Sequence, residues 1–95
     1  MKVRLTSRGL RVRIDDLELA ALQRGEVLTV ASSWEGGGWS LSLDPRQDTL
    51  TGEAGALRVG VSGVLGILAD PQREGVTLTG PPQITVEKEF GPPHA

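Results

Sequence analysis

The sequence predicts a mainly β domain with two short helices. This is an α+β fold in which two strand-strand-helix-strand-strand units build one pseudo-twofold β-barrel. Three observations carry that expectation. The first is size: 95 residues bury one core and leave no room for a second domain. The second is period-two alternation of apolar and polar residues in short runs, punctuated by 13 glycines and 6 prolines. The third is internal repetition. Leu5-Thr6, a turn and Leu10-Arg11-Val12 are echoed by Leu50-Thr51, a turn and Leu57-Arg58-Val59. Continued without a gap, Ile14 falls on Val61, Leu17 on Val64, Ala20 on Ile67 and Ala21 on Leu68. After a three-residue shift Gly25, Leu28 and Thr29 fall on Gly75, Leu78 and Thr79. Trp39-Ser40-Leu41-Ser42-Leu43 then takes the place of Gln83-Ile84-Thr85-Val86-Glu87. The expected organisation is a single domain over 1–90, made of units 1–45 and 46–90, with a flexible tail at 91–95.

Each element has a local reason. Val3 and Leu5 share one strand face, with Lys2, Arg4 and Thr6 on the other. Leu10, Val12 and Ile14 face inward while Arg11 and Arg13 face out, so residues 2–14 read as a half-buried hairpin turned at Ser7-Arg8-Gly9. Asp15 is a helix N-cap with Glu18 three residues on, a capping box. Leu17, Ala20, Ala21 and Arg24 follow helical spacing, and Gly25 supplies a left-handed stop. Residues 27–30 are β-rich, and Trp39, Leu41 and Leu43 alternate with serines after a turn at Glu35-Gly36-Gly37-Gly38. In the second unit, residues 49–51 pair with 57–61 around Gly55, and Ser62 caps a short helix whose apolar face is Val64, Ile67 and Leu68. Gly63 and Gly66 weaken that helix, by about 1 kcal/mol for an interior glycine relative to alanine. Asp70-Pro71 ends it, residues 76–79 form a strand, Pro81-Pro82 a turn, and residues 84–89 the last strand.

Composition excludes several functions. Lys+Arg is 10 and Asp+Glu 12, a formal charge of -2, so any cationic surface is local. With Cys 0 there is no disulfide frame, thiolate metal site or thiol nucleophile, and with His 1 there is no His-based catalytic pair. Residues 1–13 lack the apolar core of an export signal, and no apolar run approaches the ~20 residues of a membrane span. The expectation is a cytoplasmic, bacterial-type protein with no membrane association and no cofactor.

The layout resembles the swapped-hairpin barrels of AbrB-like transcription regulators and MazE-type antitoxins. The matching stretches are the basic hairpin at 3–14 turning at Gly9, the short helix at 15–24 and the closing hairpin at 26–43. The second unit matches at 55–61, 62–70 and 75–87. In those proteins two chains each give two hairpins and one helix to a shared barrel; here the resemblance implies both sets within one chain, so a monomer suffices. It also implies DNA contact through the basic hairpin. One departure is that Asp15 and Ser62 stand where the family commonly has proline opening the helix. The ends also resemble a small bacterial family that starts M-K-[IV]-R and finishes V-E-K-[DE]-F, here Val86-Glu87-Lys88-Glu89-Phe90, which implies no activity.

The candidate nucleic-acid-binding residues are Lys2, Arg4, Arg8, Arg11 and Arg13, five cations in fourteen residues that hold no acid. A two-stranded ribbon fits a major groove, and several cations on one face match a run of phosphates. The competing reading is a solvated face whose arginines pair with Asp15, Asp16 or Glu18. The matching second hairpin, with Glu53 and Arg58, is neutral, which favours that reading. Trp34 is a candidate anchor for a protein partner, against a role capping its own core. Catalysis is not expected: Gly60-Val61-Ser62-Gly63 lacks the spacing of a nucleophile elbow. Glu87 and Glu89 read as charged alternation on an exposed strand, and Asp15, Asp16 and Glu18 as capping residues rather than a cation site. The two functions left are a DNA-associated regulator or antitoxin-like protein and a protein-interaction module without nucleic-acid binding.

Overall fold

The computed structural model describes residues 1–80 and 82–88. Its elements are β1 (Lys2–Thr6), β2 (Gly9–Ile14), α1 (Asp16–Gln23), β3 (Leu28–Trp34), β4 (Gly37–Asp44), β5 (Leu50–Glu53), β6 (Ala56–Gly60), a 3-10 turn (Ser62–Val64), α2 (Leu65–Ala69), β7 (Gly75–Leu78) and β8 (Gln83–Lys88). Pro81, Glu89, Phe90 and the expected tail at 91–95 lie outside the described residues.

The strands form two four-stranded sheets, here sheet A (β1-β2-β8-β7) and sheet B (β3-β4-β6-β5). Each is two antiparallel hairpins joined by a parallel pair at the centre, β2 with β8 in sheet A and β4 with β6 in sheet B. The pairing diagram is the same when the halves are exchanged: the second strand of each half lies beside the last strand of the other. Residues 10–14 and 57–61 therefore begin on corresponding inner strands. Among the described residues no ladder joins the sheets, so the expected closure into a barrel is not among the pairings, and β1, β7, β3 and β5 are edges.

Register fixes which positions correspond, and it differs from the letter-by-letter alignment. Val3 faces Val12 and Leu50 faces Val59, so Val3 rather than Leu5 corresponds to Leu50. Leu10 lies beside Ile84 and Leu57 beside Leu41, so Leu41, Leu43 and Asp44 correspond to Ile84, Val86 and Glu87, one residue from the sequence alignment. Thr29 faces Ser42 and Thr77 faces Thr85, so Thr29 corresponds to Thr77 rather than Thr79. A slip of two keeps every side chain on its face and costs little in a letter comparison. A slip of one turns the strand over and is decided only by packing.

The core lies between the sheets. Val12, Ile14, Ile84 and Val86 from sheet A meet Leu41, Leu43 and Val59 from sheet B, with Val61 just beyond β6, and Leu22 and Leu68 close the cluster from the helices. In α1 the capping box forms as expected: the Asp15 carboxylate accepts from the Glu18 N–H at 2.8 Å and Glu18 accepts from the Asp15 N–H at 3.0 Å. Gly25, at φ +87, ends the helix, and the Glu26 N–H returns to the Ala21 carbonyl at 3.0 Å. The buried side of α1 is Ala21 and Leu22, with Leu19 half-buried; Leu17, expected on it, is 80% exposed.

The second half lacks this chemistry. Ser62 was expected as an N-cap but opens the 3-10 turn and makes no side-chain cap. Its N–H instead donates to the Gln47 carbonyl at 2.9 Å. The linker that follows the buried Asp44 and Pro45 thus runs over the end of β6. A Cβ on Gly60 would sit 2.6 Å from the Gln47 carbonyl, so this position, which corresponds to Arg13, has no room for a side chain.

Candidate nucleic-acid interface

All five candidate cations reach one surface, the outer face of sheet A and its first turn. Antiparallel register sets Arg4 directly opposite Arg11 and Lys2 directly opposite Arg13, and Arg8 projects from the two-residue turn between Thr6 and Gly9. That turn is held by Thr6, whose hydroxyl accepts from the Arg8 N–H at 3.2 Å and donates to the Gly9 carbonyl at 3.2 Å. Like charges directly opposite on one face repel and destabilise a strand pair.

The parallel neighbour β8 completes the face. Thr85 lies beside Arg11 and Glu87 beside Arg13. Glu87 approaches both arginines, 3.3 Å from Arg11 and 3.9 Å from Arg13. The arginines keep most of their exposure, with Arg11 61% accessible and Glu87 26%. The acids expected to neutralise the hairpin, Asp15, Asp16 and Glu18, do not pair with these arginines among the described residues, and Asp15 and Glu18 are engaged in the capping box. Arg4 and Arg8 are exposed and make no ion pair within the described residues. A shallow depression of about 540 Å³ runs from Arg4 and Arg11 past Arg8 to the Gln83 and Thr85 side chains. Cationic groups and small hydroxyl and amide donors line it, the combination that takes phosphate oxygens.

Sequence reasoning missed Gln83, Thr85 and Glu87 as members of this face. A parallel contact between strands some seventy residues apart leaves no local signal. Glu87 was expected as charged alternation with Glu89 on an exposed strand; Glu89 lies outside the described residues, and Glu87 is the counter-ion of the cationic hairpin.

Trp34 ends β3 opposite Gly37 and is 58% exposed, with its indole Nε1 3.1 Å from where a Gly37 Cβ would stand. It is not a core cap. The β3–β4 hairpin outreaches β6, which pairs with β4 only from Ser40 to Asp44, and both tryptophans sit on the overhang. Trp39 instead borders a groove of about 310 Å³ between the two sheets, with Leu5, Leu10 and Leu57. No group of three or more His, Cys, Asp or Glu side chains suited to a metal ion occurs among the described residues. No helix among them is long and apolar enough to cross a membrane. No protein-family model, curated protein or solved structure matches the chain.

Proposed function

We propose that this chain is a non-catalytic binding protein that lays the outer face of sheet A along the phosphate backbone of DNA. The observation that carries the reading is the stacked like-charge register, Arg4 on Arg11 and Lys2 on Arg13. Glu87 offsets part of that repulsion at Arg11 and Arg13, and an anion laid over the face would offset more of it, at Arg4 and Arg8 above all. Arg4 and Arg8 flank the depression beside Thr85 and provide contacts not already satisfied by Glu87. We read the two halves as copies of one unit, in a layout similar to the swapped hairpins of AbrB-like regulators and MazE-type antitoxins but carried on one chain. The exchangeable pairing diagram supports that reading. Only one of the two copies bears the cationic face, so the protein reads one phosphate stretch per chain.

Fluorescence anisotropy with duplex DNA over a salt series tests this. Affinity falls with a log–log slope of about -0.9 per phosphate contact, and Arg4→Ala with Arg8→Ala flattens the slope by about two contacts. Absence of binding to random and genomic duplexes at low salt would discard it. A protein-interaction module is the second reading, favoured by the exposed Trp34 and the apolar groove beside Leu5 and Trp39.

A further inference from the structure

We propose that β3 is a self-association edge, along which two copies of this chain join antiparallel about an axis through Ala31 to make one continuous sheet. The inference stands whether or not sheet A binds DNA. It rests on a contrast among the four edges. An exposed edge strand offers unpaired N–H and C=O groups, and chains that must stay apart guard such edges with charge, brevity or irregularity. β1 carries Lys2 and Arg4. β5 and β7 are four residues each, and β5 ends in Glu53. β3 has none of these guards. It runs seven residues, Leu-Thr-Val-Ala-Ser-Ser-Trp, with no charge, proline or glycine, and overhangs its own sheet.

The strand is also self-complementary. With Ala31 on the axis, Thr29 faces Ser33 of the partner subunit and Val30 faces Ser32 of the partner subunit. Leu28 faces Trp34 of the partner subunit, so each exposed indole lies over a half-buried leucine, a favoured aromatic–aliphatic cross-strand pair. On the outer face Thr29, Ala31 and Ser33 are small and place no like charges across the axis. A second copy therefore satisfies the edge and covers Trp34 together, without a partner of other chemistry.

Sedimentation equilibrium of the full chain, from micromolar to submillimolar concentration, tests this with three variants. The unmodified protein is a reversible dimer. Ala31→Lys, on the solvent side of β3, sets two ammonium groups opposite each other and weakens association roughly tenfold or more, while circular dichroism and thermal unfolding report an unchanged monomer fold. Under mild oxidation Ala31→Cys gives a covalent dimer, because only the axial residue meets itself, and Ser33→Cys, which faces Thr29 of the partner subunit, does not. A protein that stays monomeric throughout the range overturns the proposal. So does a dimer indifferent to Ala31→Lys, or one that cross-links better at position 33 than at 31.

Discussion

The outer faces of the two sheets present the same framework with different chemistry. In both, an arginine of the inner strand approaches a carboxylate on the parallel neighbour, Arg11 with Glu87 at 3.3 Å and Arg58 with Asp44 at 3.7 Å. Both carry a cross-strand hydroxyl pair, Thr29 with Ser42 at 2.9 Å and Thr77 with Thr85 at 3.4 Å. Around those constants the faces diverge. Where sheet A has Arg4, sheet B has Thr51; where sheet A has Arg13, sheet B has Gly60, under the linker; where sheet A has Arg8 in its turn, sheet B has Gly55. The shared pair accompanies a shared framework, so it reads as part of the scaffold. The unshared cations have no counterpart in a face that folds equally well, which makes them the candidates for a task other than folding.

The largest test of this equivalence concerns whether either half is complete alone. Fragment 1–45 keeps β1 to β4 but loses β8 and β6, the parallel neighbours of both its inner strands, and at that size a core is rarely sufficient. It should be unfolded or self-associated by circular dichroism and sedimentation; a folded monomer would end the shared-core description. Next in size are the two helix leucines. Leu22 and Leu68 are both fully buried, and alanine at either should cost about 2–5 kcal/mol in urea unfolding. A much smaller loss at Leu68 would make the second half peripheral.

Capping should separate the halves. Asp15→Ala removes a formed capping box and should cost about 0.5–2 kcal/mol, while Ser62→Ala removes no cap and should stay within about 0.5 kcal/mol. On the faces themselves, Thr51→Arg gives sheet B the counterpart of Arg4. That face points away from sheet A, so the salt slope of DNA binding should stay unchanged, whereas Arg4→Ala should flatten it by about 0.9. The smallest expected effect is on the shared ion pairs. Arg11 and Arg58 are both mostly exposed, so alanine at either should change stability by less than about 1 kcal/mol. A large loss at Arg58 alone would show that the buried Asp44 depends on it.

Much of this was legible locally. The hairpin at 2–14, the capping box at Asp15 and Glu18, and the glycine stop at Gly25 are written within a few residues, where spacing and chemistry decide the outcome. The same holds for grouping Lys2, Arg4, Arg8, Arg11 and Arg13, because alternation along a hairpin sorts its two faces. What failed was long-range or competitive. The role of Glu87 depends on a parallel neighbour near the other end of the chain. Ser62 looked like a cap, but the 3-10 turn begins one residue earlier than spacing suggests, with Val61 in the cap position, so the Ser62 side chain caps nothing. Leu17 fitted helical spacing, but the approach of α1 to the sheets was set by Leu22, and periodicity cannot choose between adjacent apolar stripes.

Sheet B takes all four strands from residues 28–60, whereas sheet A takes two from each end of the described residues. Sheet B thus closes short loops and sheet A one long one, so sheet B should form early and sheet A should set the rate. A circular permutant makes that asymmetry a matter of connectivity alone. The starts of β1 and the finish of β8 lie about two strand spacings, ~10 Å, apart, close enough for a short peptide bridge. Opening the chain between β4 and β5 and joining those ends would make sheet A contiguous and split sheet B, with every strand pairing kept. The early-forming region, followed by pulsed hydrogen exchange during refolding, should then move from one sheet to the other.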